Sequence, residues 1–297
     1  MKTILQLLVL VICLQLHAQQ AQLNNQITDP RGNQVLWGPL NQEGLSSGSF
    51  ANWFNPEYQN YKPNPELIKQ LKAELNQYTI TIFMGTWCGD SKREVPRFLS
   101  VLNAANFNAE QLQIIGLRSD APYYKLGPNN EESGLGIHRV PTFIIYKNGV
   151  EVNRIVESPK ENLEQDLAAI IKGEYQANYP VVQETASILN TIGLTGFKPS
   201  AVKKLAKQWK PKVTSLYELN TYARVLLGAG KSQEAVAVLK LNIGLFPEDH
   251  RAYGSLATKL EQLDQPKDAL KYYLKASKLA PENTDYTAAI ERLKDLR

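Results

Sequence analysis

Between Tyr78 and Gly173 the hydrophobic period of the sequence changes repeatedly, and that alternation restricts this part of the chain to an α/β layout. The runs "YTITIFM" (78–84) and "LQIIGL" (112–117) are short and rich in β-branched residues, as strands are, while the stretch from Cys88 to about Ala105 between them reads as a helix. "VPTFIIYKNGVEVNRIVE" (140–157) holds two more such runs joined by Asn148-Gly149, a strong hairpin signal. "PKENLEQDLAAIIKG" follows as a helix that ends at Gly173. Upstream, "NPELIKQLKAELNQ" starts a helix cleanly: Asn64 suits the N-cap, Pro65 the first turn, and Leu67, Ile68, Leu71 and Leu75 share one face. Helix, strand, helix, strand, hairpin, helix is the order of an α/β sheet.

The flanks read differently. Residues 1–18 have one basic residue, Lys2, then an apolar run from Ile4 to Leu14 and a small residue, Ala18, which is the layout of a cleaved secretory signal. The apolar run is shorter than the roughly 20 residues that span a bilayer, so no integral membrane segment is expected in the mature chain. Residues 19–63 are polar and carry an aromatic cluster, Phe50, Trp53, Phe54, Tyr58 and Tyr61, which predicts an extension packing on the domain that follows. Pro56 inside that cluster predicts a helix that is short or starts there. From residue 180 to 297 strand signals almost vanish. Ala201, Ala235 and Ala269 recur at an interval of 34, followed at the same interval by Leu205, Leu239 and Tyr273.

Only Cys13 and Cys88 occur, and the first leaves with the signal. An exported protein with one remaining thiol must bury it, pair it with another molecule, or use it. Cys88 stands at a strand-to-helix turn in "FMGTWCGDSKREVPRF", where unpaired backbone N–H groups and the helix dipole favour a thiolate. Ser91 takes the place, one turn along, where a second thiol would resolve a mixed disulfide, and its hydroxyl is placed to donate to the Cys88 sulfur. His138 reads as a surface or packing histidine, and no His, Cys, Asp or Glu spacing suggests a metal. The formal net charge of +4, one unit less without Lys2, is no nucleic-acid footprint.

The order of elements, "WCGDSK" at the turn, Pro96 eight residues after Cys88, and "GIHRVPTFIIYKNG" running into the hairpin together resemble the thioredoxin family over residues 64–176. The resemblance implies a central mixed sheet flanked by helices. It also implies Cys88 as nucleophile, Ser91 as thiolate partner, a cis-Pro141, and a client strand contacting Trp87, Val140 and Pro141; no cofactor is required. Ile82 departs from the pattern, since the buried acid that would accept a proton belongs there. Residues 180–297 resemble tetratricopeptide repeats, best in the unit from His250 to Asn283, with Asn242 departing from a small-residue slot. The combined expectation is a secreted or periplasmic thiol-disulfide exchange protein of monothiol type, isomerase-like or working with a small-molecule thiol, whose repeats recruit a protein or peptide client. The alternative is a non-enzymatic binding scaffold with a degenerate thioredoxin domain.

Overall fold

The structure is a computed structural model and describes residues 22–295; the signal assigned to residues 1–18, with Cys13, lies outside them. Seven strands are present among the described residues: β1 (Gln26–Thr28), β2 (Gln34–Leu36), β3 (Gly38–Leu40), β4 (Thr79–Met84), β5 (Leu112–Gly116), β6 (Thr142–Lys147) and β7 (Val150–Val156). β1 and β2 form a small hairpin, and the rest form a mixed sheet of order β3-β5-β4-β6-β7. Only the β4–β5 pair is parallel, and a helix crosses between its strands. β4 is central and nearly continuous in apolar residues because helices and loops cover both faces; Ile80, Ile82, Phe83 and Met84 are all buried.

Beside a one-turn helix at Gln42–Leu45, four longer helices flank this sheet: α1 (Ala51–Asn60), α2 (Pro65–Glu74), α3 (Gly89–Ala104) and α4 (Leu163–Lys172). The Asn64 side chain caps α2 by accepting from the N–H groups of Glu66 and Leu67. Phe98 of α3 meets Phe143 of β6 with ring centroids 4.4 Å apart, and Leu163, Leu167 and Ile170 of α4 join the same core. α1 starts well before Pro56 and runs through it, a difference from the sequence reading. Burial of Phe54 and its stacking on Tyr58 at 5.6 Å hold the helix across the proline. The Arg97–Glu57 ion pair at 2.7 Å then fastens α1 to α3.

The 19–63 segment also supplies β3, which no pattern in the sequence announces. Pro39 is tolerated there because β3 is an edge strand with one side free of ladder bonds. Leu36, Leu40, Phe50 and Phe54 share one core with Ile80, Ile82 and Phe98, so this segment is built into the sheet layer.

Beyond the sheet the described chain is helical: α5 (Pro180–Thr191), α6 (Pro199–Trp209), α7 (Tyr217–Gly228), α8 (Ser232–Leu245), α9 (His250–Gln262), α10 (Pro266–Leu279) and α11 (Thr284–Asp295). Consecutive helices fold back on one another around Trp209, Leu219, Leu239, Leu256 and Leu270, an arrangement that fits helix-pair repeats. Ala235 and Ala269 are fully buried, whereas Ala201 is only half-buried, in keeping with its weaker unit. Asn242 is buried too, and its Nδ2 donates to Leu216 O at 2.8 Å and Asn220 Oδ1 at 2.9 Å.

The connection between the two parts is fastened down. Asn178 Nδ2 donates to the carbonyls of Val156 and Ser158, and Asn153 Nδ2 donates to Tyr175 O at 2.7 Å. The long loop after β5 reaches the helices as well: Asn190 Nδ2 donates to Gly134 O at 2.6 Å, and the Pro122 carbonyl lies so close to Gly228 that a Cβ there would stand 2.6 Å from it.

Candidate thiol site

β4 ends at Met84 and the chain turns through Gly85, Thr86 and Trp87 into α3, with Cys88 N–H donating to Gly85 O at 2.9 Å. Gly85 leaves room for the indole, since a Cβ there would lie 2.5 Å from the Trp87 ring. Trp87 Nε1 donates to Leu117 O at 2.7 Å, which fixes the ring against the end of β5. Thr86 Oγ1 accepts from Leu36 N–H at 3.2 Å, tying the turn to the N-terminal segment.

Cys88 is the N-cap residue of α3, with extended backbone (φ −92°, ψ 128°), and it is half-buried. Its carbonyl accepts the Lys92 N–H, while its thiol donates to Val140 O at 3.2 Å. The Val140–Pro141 peptide is cis. Sequence positions 52 residues apart thus meet at the sulfur, because β4 and β6 are neighbours in the sheet and both carry a turn at the same end.

The other expected participants are placed as follows. Ser91 is fully buried, and its hydroxyl accepts from Gly85 N–H at 3.2 Å; among the described residues no hydrogen bond joins it to the Cys88 sulfur. Its observed contact locks the first turn of α3 onto the end of β4, and the thiol's partner is the Val140 carbonyl instead. Pro141 O accepts from Glu157 N–H at 2.8 Å, and Val140 O is taken by the thiol. Ile82 is fully buried between Ile114 and Phe143 in the ladder, so the position itself offers no proton acceptor.

One neighbour has no sequence signal. Lys125, in the loop after β5, is buried, with Nζ 5.7 Å from the Trp87 ring centroid and donating to Tyr124 Oη at 2.5 Å. Burial pulls its ammonium below the usual lysine range, against the Tyr124 hydroxyl, which favours the charged form. Nothing in "APYYKLG" marks a buried lysine; its placement comes from the loop folding back on Trp37, whose Nε1 donates to Leu126 O at 3.0 Å.

His138, two residues before Val140, is buried with Nε2 unpartnered and Nδ1 3.3 Å from Gly136 O. Among the described residues no group of three potential ligands could hold a metal ion, and no helix is long and apolar enough to cross a membrane.

Comparison with known proteins shows a distant likeness to a thioredoxin. Over 97 residues the chain is 27% identical to Thioredoxin-1 of Schizosaccharomyces pombe, a stretch that covers 32% of this chain and 82% of that protein. No family model matches the chain. The likeness supports a thioredoxin-like redox role for about a third of the chain and bears on nothing beyond it.

Proposed function

We propose that this protein is an exported thiol-disulfide exchange protein of monothiol type, with Cys88 as nucleophile and the helical region as the part that recruits a client. The observation that carries this reading is the meeting of a half-buried helix-cap thiol with the carbonyl before a cis-proline, 3.2 Å away. The deprotonated sulfur attacks one sulfur of a client disulfide, the S–S electron pair leaves on the other sulfur, and that thiolate takes up a proton. With Ser91 in place of a second cysteine, the mixed disulfide is opened by the client's own second thiolate or by a small-molecule thiol. In the first case Cys88 leaves as thiolate, a client disulfide re-forms, and the isomerisation needs no oxidant or reductant. In the second the small thiolate bonds to the client sulfur as Cys88 leaves, so the client ends with one free thiol and one mixed disulfide.

Trp87 and the Val140–Pro141 turn form the client-facing wall in this reading, and Ser91 acts by fixing the helix start rather than by touching sulfur. The test is mass spectrometry of native full-length protein after exposure to oxidised glutathione: one adduct on Cys88, absent from Cys88→Ser. No adduct on the folded protein would refute it.

A specific observation favours a second reading, a binding scaffold with a vestigial thiol: Ile82 is fully buried where a proton acceptor would serve exchange. Client capture unchanged in Cys88→Ser would select the scaffold.

A further inference from the structure

A cleft of about 750 Å3 opens beside Trp87, lined by five stretches of chain: the β1–β2 turn, the start of α1 with the residues before it, the thiol turn with the start of α3, the loop after β5, and α7. Three of these stretches contribute one cation each. Arg31 comes from the hairpin turn, Lys92 lies one helical turn beyond Cys88, and Arg224 projects from α7. None of the three is ion-paired among the described residues.

The one carboxylate in the lining, Asp29, accepts from Asn33 N–H at 2.8 Å, Arg31 N–H at 2.9 Å and Asn33 Nδ2 at 3.1 Å; it stays charged and feels the Arg31 guanidinium, so the lining holds three cations against one anion. The Arg224 guanidinium lies 3.7 Å from the Tyr124 ring centroid, a stacking that orients the charge and leaves its N–H edge free for a carboxylate.

Arg224 also lines a second hollow, the groove between α7, α9 and α11, together with Lys259 and with Arg251, which is ion-paired to Asp249 at 2.6 Å. Burial first, and then the nearby charge of Arg224, hold the Lys259 ammonium below the usual lysine range. The two hollows meet at Arg224. A small anion would fill one of them; cations distributed along both match an extended chain with several carboxylates.

We propose that this path holds an extended acidic segment of a client chain beside Trp87, the neighbour of Cys88 in the thiol turn. The inference rests on the thiol-exchange reading for its purpose, but binding is measurable without thiol chemistry. The experiment is fluorescence anisotropy of full-length protein with a fluorescein-labelled, cysteine-free peptide of alternating Glu and Ala, against its Lys and Ala counterpart. The Glu peptide should bind about tenfold more tightly, and the difference should shrink as NaCl rises toward roughly 0.5 M. Arg224→Glu should reverse the preference, and Lys92→Gln, at a separate wall, should weaken Glu-peptide binding several-fold.

Equal affinity for the two peptides, or a preference left intact by both variants, would overturn the proposal. Complete displacement of the Glu peptide by citrate at matched carboxylate concentration would overturn it too, by showing that a small anion occupies the path. Failure of Cys88 to form adducts would sink the thiol reading and leave this binding result standing.

Discussion

Replacing His138 by phenylalanine should flatten the acid limb of the stability curve. The imidazole is buried, its Nε2 is unpartnered, and Tyr179 packs edge-on against it at 5.4 Å. Burial chiefly, opposed by the hydrogen bond to Gly136 O and reinforced by the charges of Arg139, Lys125 and Arg154, brings its pKa down to about 3. In the unfolded chain the same ring titrates near 6.5. Below that pH the unfolded state binds more protons, so this stabilisation is complete above about pH 6.5 and is lost as pH falls toward 3. At about 1.4 kcal/mol per pH unit, going from pH 6.5 to pH 4.5 removes about 3 kcal/mol through this group. That is a large share of the roughly 5–15 kcal/mol that holds a typical domain folded. Urea unfolding followed by tryptophan fluorescence at pH 7.5 and 4.5 reads the effect. His138→Phe should lose about 3 kcal/mol less than wild type between the two conditions. Carboxylates elsewhere titrate alike in both proteins and cancel. His138→Leu, which has no ring to crowd Tyr179, should behave in the same way. Equal pH dependence in wild type and both variants would refute the buried, neutral histidine.

Three further substitutions probe how the parts are joined. Asn242→Ala strands the buried Leu216 carbonyl and Asn220 Oδ1, and should cost about 2 kcal/mol in denaturant unfolding. Tyr61→Phe removes the 2.7 Å hydrogen bond to Glu164 Oε2, leaving Asn64 N–H on the other oxygen of a buried carboxylate; a loss of roughly 1–3 kcal/mol is expected by the same assay. Gly228→Ala drives a methyl against the Pro122 carbonyl, should cost about 1–3 kcal/mol despite the better helix propensity of alanine, and should speed limited proteolysis within residues 118–136.

The strands β4 to β7 were legible because each is a β-branched run and the β6–β7 turn carries Asn148-Gly149. Asn64 announced α2 for a similar reason: a cap is a local device, decided by residues within one turn. Cys88, Trp87 and Pro141 could be singled out because their spacing along the chain is itself distinctive. The buried contacts around them could not. Ser91 bonds Gly85 rather than sulfur because the α3 start packs on β4, and Lys125 is enclosed by a loop whose path depends on Trp37. The cationic cleft draws on Arg31, Lys92 and Arg224, residues whose proximity no local pattern encodes.

β3 has a consequence for how the chain must be made. Its partner is β5, with Gly38 opposite Gly116, so this strand is synthesised long before the strand it joins. Until β5 emerges, the apolar residues Leu36, Leu40, Phe50 and Phe54 have no completed sheet to cover, and contacts so distant in sequence form slowly. The reverse arrangement is equally exposed. A fragment beginning at Asn64 presents β5 as a bare sheet edge whose N–H and C=O groups invite another copy to pair. The short strand near the start of the chain therefore acts as the seam that keeps one molecule's sheet from continuing into the next.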